Sequence, residues 1–239
     1  MQEEIFTASK KGNITFAKPS APCYNGNVPF LKSKEVLIVK KRLSALSVLT
    51  AVLLFPSVAA AEDMHIVKSG DTMWKIAVQY EVGVSEIINA NTQIANPDLI
   101  YPGQVLAIPG VDKTVLEFET EVIRLVNEAR AENGLSPLKA NWELSRVARY
   151  KSQDMKDGGY FSHTSPTYGS PFTMMKNFGI TYRSAGENIA KGQRTPAAVV
   201  RAWMNSQGHR KNILNGSFTE IGVGYVADGN YWTQMFVGM

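Results

Sequence analysis

Apolar residues recur at changing periods along this chain, and the changes mark its parts. From His65 to Pro109 the order reads strand, helix, helix, strand. His65–Val67 forms a short strand, and the turn Lys68-Ser69-Gly70 leads to Asp71 or Thr72. Either side chain can cap a helix by accepting its first free N–H groups. Trp74, Ile76, Ala77 and Tyr80 then recur at helical spacing and are read as the inward face. Ser85 opens a second short helix, with Ile87 and Ile88 inward and Asn89 and Asn91 near its end. After turns at Asn96-Pro97 and Pro102-Gly103, Val105, Leu106 and Ile108 make a returning strand.

A second pattern starts after a short polar linker, residues 111–115. Phe118, Val122, Leu125, Val126 and Ala129 line one face of a helix that ends at Asn133-Gly134. A further helix runs from about Trp142 to Met155, with Leu144, Val147, Ala148 and Tyr150 inward, until Gly158-Gly159 stops it. Then come the loop FSHTSP, a short helix near Pro171–Phe178 with packing methionines Met174 and Met175, the segment SAGENIA, a helix from Thr195 to about Asn205, and the stretch NSQGHRKNIL. Two strands, IGVGYV and YWTQMFV, close the chain around the hairpin turn Asp228-Gly229-Asn230. Tyr160, Phe161 and Trp232 read as core aromatics. The class is α+β in two modules.

The first 61 residues follow neither pattern. Lys40–Ala61 has a basic start, an apolar run of roughly 15 residues and small residues at its end, the layout of a signal peptide spanning about residues 37–61 with cleavage after Ala61. The run falls short of the ~20 apolar residues of a membrane span. The residues upstream of it are either a long leader or sequence ahead of a true start near Val36 or Leu37; the second is preferred. Residues 1–61 carry eight Lys/Arg and three Glu, whereas residues 62–239 carry 17 Lys/Arg and 18 Asp/Glu. The basic balance therefore belongs to the leader, and a near-neutral remainder offers nucleic acid no electrostatic footprint. The sole cysteine, Cys23, is also in the leader, which excludes a disulfide and a thiolate nucleophile from the exported part.

The motifs of both modules resemble known families. GDTMWKIA, the Asn of NANT, NPDLIYPGQ and LAIP resemble a LysM domain over residues 65–110. The resemblance implies binding of N-acetylglucosamine glycans such as peptidoglycan in a shallow groove. Gly70, Asp71, Thr72 and Met73 would line one side and Pro97, Asp98, Leu99 and Ile100 the other. Capping alone also accounts for Asp71 and Thr72; Trp74 is read as core, and His65 as structural with no partner nearby. NEARAENGLSPL, FSHTSP, AGENIA, the Trp203 helix, GHRKNIL and WTQMF resemble the CAP superfamily over residues 116–239, which implies an α-β-α sandwich. The pair of modules resembles exported LysM-plus-CAP proteins of spore-forming Gram-positive bacteria, with the cell wall or spore envelope as location and spore-envelope proteins as candidate partners.

The CAP resemblance points to a cavity containing His163, Glu187 and His209, with Ser206 where many relatives supply a second acidic group. Three readings stand side by side. The trio could bind a divalent metal such as Zn or another ligand without turnover. It could run hydrolysis, with Glu187 or a histidine as base and Ser162 or Ser206 as nucleophile. It could also be a structural hydrogen-bond network. Turnover has the least support, because no serine here sits in a strained nucleophile turn.

Overall fold

The computed structural model describes residues 7–9 and 63–239; the remaining leader, including the stretch read as a signal peptide, lies outside the described residues. Strand β1 (Thr7–Ser9) is a short strand within the leader, where the sequence shows no strand period. The first module follows as β2 (Asp63–Ile66), α1 (Met73–Tyr80), α2 (Val84–Ala90) and β3 (Val105–Ile108), with β2 and β3 paired antiparallel. Val67, Ile76, Ile87, Leu106 and Ile108 form its buried core. Asn91 fastens the end of α2 to β3. Its side chain donates to the carbonyls of Ile87 and Ala107, both at 2.7 Å, and accepts the Ala107 N–H at 2.9 Å.

Trp74 corrects the sequence reading. Thr72 caps α1, its Oγ1 accepting the Lys75 N–H at 3.2 Å. Counting from that cap, Met73, Ile76 and Ala77 face inward and Trp74 is turned out, 59% exposed. His65 also departs from expectation: it is buried and has two partners, described below.

The second module begins with α3 (Lys113–Glu132), capped by Asp112, so the polar run read as a linker forms its first turn. It continues through β4 (Lys139–Ala140), α4 (Trp142–Asp157), α5 (Pro171–Asn177), β5 (Ser184–Lys191), α6 (Pro196–Asn205), α7 (Gln207–Ile213), β6 (Glu220–Val226) and β7 (Tyr231–Gly238). The sheet order is β1-β5-β7-β6-β4, antiparallel except where β4 meets β6. Helices α4 and α5 cover one face through Leu144, Val147, Met174 and Met175; α3, α6 and α7 cover the other through Val122, Val126, Trp203 and Ile213. Gly222 and Gly224 let α4 lie against the sheet, since a Cβ on Gly224 would stand 2.1 Å from the Ala148 carbonyl carbon. At the closing turn Gly229 and Asn230 both take positive φ, which a tight hairpin of this hand requires.

Beyond the short flanking strands β1 and β4, side chains cap the backbone that β5 and β6 leave unpaired. The Asn212 amide donates to the Glu187 carbonyl and the Trp203 indole N–H to the Ile189 carbonyl, closing the outer side of β5. On β6, Ser145 Oγ accepts the Val223 N–H and Glu119 Oε1 the Tyr225 N–H. Such caps satisfy polar backbone that would otherwise recruit another strand. Phe161, read as core, is 46% exposed, whereas Trp232 is fully buried as expected.

The modules meet through α2 and α4. Arg146 holds both carboxylate oxygens of Glu86, with Nη2 to Oε2 at 2.8 Å, and the Tyr150 hydroxyl donates to Glu86 Oε1 at 2.9 Å. The guanidinium also lies over the rings of Tyr150 and Phe178. Beside this clamp Val82, Pro109, Val111, Val115 and Tyr225 help line a crevice of about 350 Å³, whose lining includes none of His163, Glu187 and His209.

Candidate functional site

Strand β5 supplies the centre of the site. Side chains alternate across a sheet, so Glu187 faces α4 while Asn188 faces α7. His163 is carried on the loop between α4 and α5, and its Nδ1 meets Glu187 Oε1 at 2.6 Å. The Glu187 side chain is fully buried and that of His163 is 13% exposed. Burial raises the proton affinity of Glu187 above the ordinary carboxylate; the His163 hydrogen bond, then the charges of His163 and Lys151, oppose it without cancelling it. The second oxygen, Glu187 Oε2, is buried with no protein hydrogen-bond partner. An unsatisfied buried acceptor costs about 1–3 kcal/mol, so such an atom marks where a donor would be welcome.

His209 comes from the other layer. It lies in the first turn of α7, half-buried, and its carbonyl accepts the Asn188 amide at 3.2 Å. Asn212, one turn later, donates to the Glu187 carbonyl at 3.1 Å and to Asn188 Oδ1 at 2.9 Å. Thus α7 is bolted to β5 beside Glu187. Ser206 ends α6 and opens α7 with extended backbone, which is why NSQGHRKNIL forms a separate short helix instead of extending α6. Ser162 Oγ accepts the Thr164 N–H, as a turn residue does.

The three-ligand metal set does not assemble. Among the described residues no group of three or more His, Cys, Asp or Glu is placed to hold a metal ion. One physical reason is visible in the pair that does form: Glu187 Oε1 and His163 Nδ1 are engaged with each other. His163, Glu187 and His209 as arranged do not form a set that fits a bound Zn ion. What the pair can do is hold a proton between imidazole and carboxyl, fix the ring's orientation, and present a buried oxygen to a hydrogen-bond donor.

In the first module, Asp71 is tied inward. Its Oδ2 accepts the Lys68 N–H at 2.8 Å and meets His65 Nε2 at 2.9 Å, while His65 Nδ1 meets the Tyr80 hydroxyl at 3.2 Å. The Lys68 N–H first, then His65, hold the Asp71 carboxyl below its ordinary range. Gly70 turns the loop with φ +87°, and its carbonyl accepts Lys75 Nζ at 2.7 Å. On the opposite loop Asn96 Oδ1 accepts the Asp98 N–H. Pro97 and Ile100 are half-buried, and Asp98 and Leu99 are exposed. Met73, expected in the groove, is buried in the core, because the Thr72 cap places it on the inner stripe of α1. Two aromatics that the sequence reading did not assign to this surface, Trp74 and Tyr101, are more than half exposed and adjoin the two loops in sequence. The cap position of Thr72 was the signal that could have revealed Trp74.

A family model of the LysM domain matches residues 65–109, and one of the cysteine-rich secretory protein family, CAP, matches residues 123–238. YkwD of Bacillus subtilis is 63% identical over 125 residues, 52% of this chain and 49% of that protein. The spore coat assembly protein ExsA of Bacillus cereus is 50% identical over 46 residues, 19% of this chain and 7% of ExsA. A crystal structure of an extracellular protein containing a SCP domain from Bacillus anthracis matches with a TM-score of 0.51 and 33% identity, covering 58% of this chain and 47% of that one. The chain thus spans about half the length, or less, of these relatives. With the β-α-α-β unit and the three-layer sandwich both in place, the chain is a LysM-plus-CAP protein whose larger domain is a member of the cysteine-rich secretory protein family.

Proposed function

We propose that this protein is exported to the cell wall or spore envelope, where its LysM domain holds N-acetylglucosamine glycan and its CAP domain binds a ligand or regulates a partner beside the wall. The joining of the two domains in one chain carries this reading. The similarity to a spore coat assembly protein and to an extracellular SCP protein supports the location. Gly70, Asp71, Thr72, Pro97, Asp98, Leu99 and Ile100 line the proposed groove. Backbone groups and a carboxylate there would hold the acetamide, while exposed Trp74 and Tyr101 would cover sugar faces.

For the CAP domain the supporting observation is the buried, unpartnered Glu187 Oε2 beside His163. It favours recognition of a ligand that donates a hydrogen bond. The test is co-sedimentation with purified peptidoglycan. The chain without its leader is expected in the pellet, and deletion of residues 65–109 is expected to leave it in the supernatant. Equal pelleting of the deletion would overturn the tethering role. Soluble fragments released from labelled wall, and lost in Glu187→Ala, would replace the ligand-binding reading of the CAP domain with a hydrolase.

A further inference from the structure

We propose that Lys151 is a positioning residue for the His163–Glu187 pair, its buried ammonium setting the height of the loop that carries His163 against β5. The side chain is completely buried on α4, on the face turned to the sheet and loop. Its Nζ donates to the carbonyls of Ser162 at 2.8 Å and His163 at 2.9 Å, and to the Tyr160 hydroxyl at 3.2 Å. The three N–H donors of an ammonium thus have three acceptors, all in the segment that ends at His163. Tyr160 also turns its ring toward the cation, at 5.0 Å.

A second anchor lies one turn further along the same helix. Asp154 accepts the hydroxyls of Tyr160 and Ser165, the latter at 2.6 Å, and Ser165 Oγ in turn accepts the N–H groups of Thr167 and Tyr168. The loop is therefore held on both sides of His163 from two points of α4. Leucine or methionine would fill the space under the loop, but neither can bind two successive carbonyls. A buried ammonium is retained only where its charge and donors are matched. Burial lowers the proton affinity of Lys151, and the nearby charges of Glu187 and Asp154 work against that. The ammonium is also among the groups that favour the ionised form of Glu187, the acceptor for His163. Lys151 acts on the pair twice, through the backbone of His163 and through the field at Glu187.

The inference rests on the His163–Glu187 pair being the working site, but its test needs no ligand, so its failure and that of wall binding are read separately. The experiment is NMR of the chain without its leader, carrying ¹⁵N in histidine and lysine side chains, with His163 assigned by His163→Asn. In the wild type the Nδ1–H proton of His163 is expected far downfield and slow to exchange. In Lys151→Met that signal is expected to vanish or exchange roughly ten-fold faster while circular dichroism is unchanged, and Lys151→Arg is expected to restore it. A folded Lys151→Met protein with the His163 signal unaltered would reduce Lys151 to a loop staple and overturn the proposal. If Lys151→Met does not fold, the wild-type ammonium decides. A slowly exchanging Lys151 Nζ signal upholds the three donated bonds, and fast exchange refutes them.

Discussion

Replacing Asn212 by alanine tests how α7 is fixed beside Glu187. The amide is 2% exposed and donates to two acceptors, the Glu187 carbonyl at 3.1 Å and Asn188 Oδ1 at 2.9 Å. Each made bond contributes about 1 kcal/mol net, and a buried acceptor left dry costs about 1–3 kcal/mol. Against this, Asn212 Oδ1 has no protein partner, so its removal returns about 1 kcal/mol. The expected loss is about 2–4 kcal/mol, which for a domain of this size lowers Tm by roughly 6–12 °C. Differential scanning calorimetry and urea unfolding measure it. Asn212→Asp is the discriminating partner: it keeps the shape but turns an oxygen toward two oxygens, so it is expected to be less stable than Asn212→Ala at neutral pH. A shift below about 1 °C for alanine, or an aspartate variant more stable than the alanine one, would refute the bolting of α7 to β5.

Gly224→Ala is expected to destabilise by about 1–3 kcal/mol or more, because its Cβ would meet α4 backbone; Gly216→Ala, whose nearest neighbour is a Leu135 methyl at 3.7 Å, is the control and is expected to be near neutral in the same urea assay. The Glu86 clamp gives a pH dependence. Burial pushes the Glu86 carboxyl up, but the Arg146 hydrogen bond and charge, with Ser85 and Tyr150, bring it below its ordinary value. A depressed folded-state value stabilises above the ordinary glutamate range and is lost as pH falls through it. Tm of the wild type is therefore expected to fall more steeply below about pH 4.5 than that of Arg146→Met, and parallel curves would contradict the clamp.

Much of this architecture was legible because the chain punctuates itself. Thr72 was a cap candidate from the turn before it and Asp228-Gly229-Asn230 marked a hairpin, so local chemistry identified those elements, and in the structure Asn141, Ser170 and Thr195 likewise stand at helix N-caps. SAGENIA was harder to read as a strand, since both of its faces are covered and the partners of Glu187 Oε1 and Asn188 are remote in sequence. Trp74 was misplaced by one helical position, because a large aromatic outweighed the phase fixed by the cap. The pairing of His163 with Glu187 followed from family motifs. Lys151 did not, because a lysine in a helix reads as solvated until three acceptors are found around it. His65 was likewise read without its partners, since Tyr80 reaches it only when α1 folds back on β2.

Glycan recognition by residues 65–109 is what would tether this protein to the wall. Titrating the ¹⁵N-labelled chain, freed of its leader, with an N-acetylglucosamine oligomer and following backbone amides tests it. Saturable shifts are expected at Gly70, Asp71 and Thr72, at Asp98, Leu99 and Ile100, and at the indole N–H of Trp74, with the amides around Glu187 unmoved. No shift at millimolar oligomer, or shifts confined to the CAP domain, would contradict it.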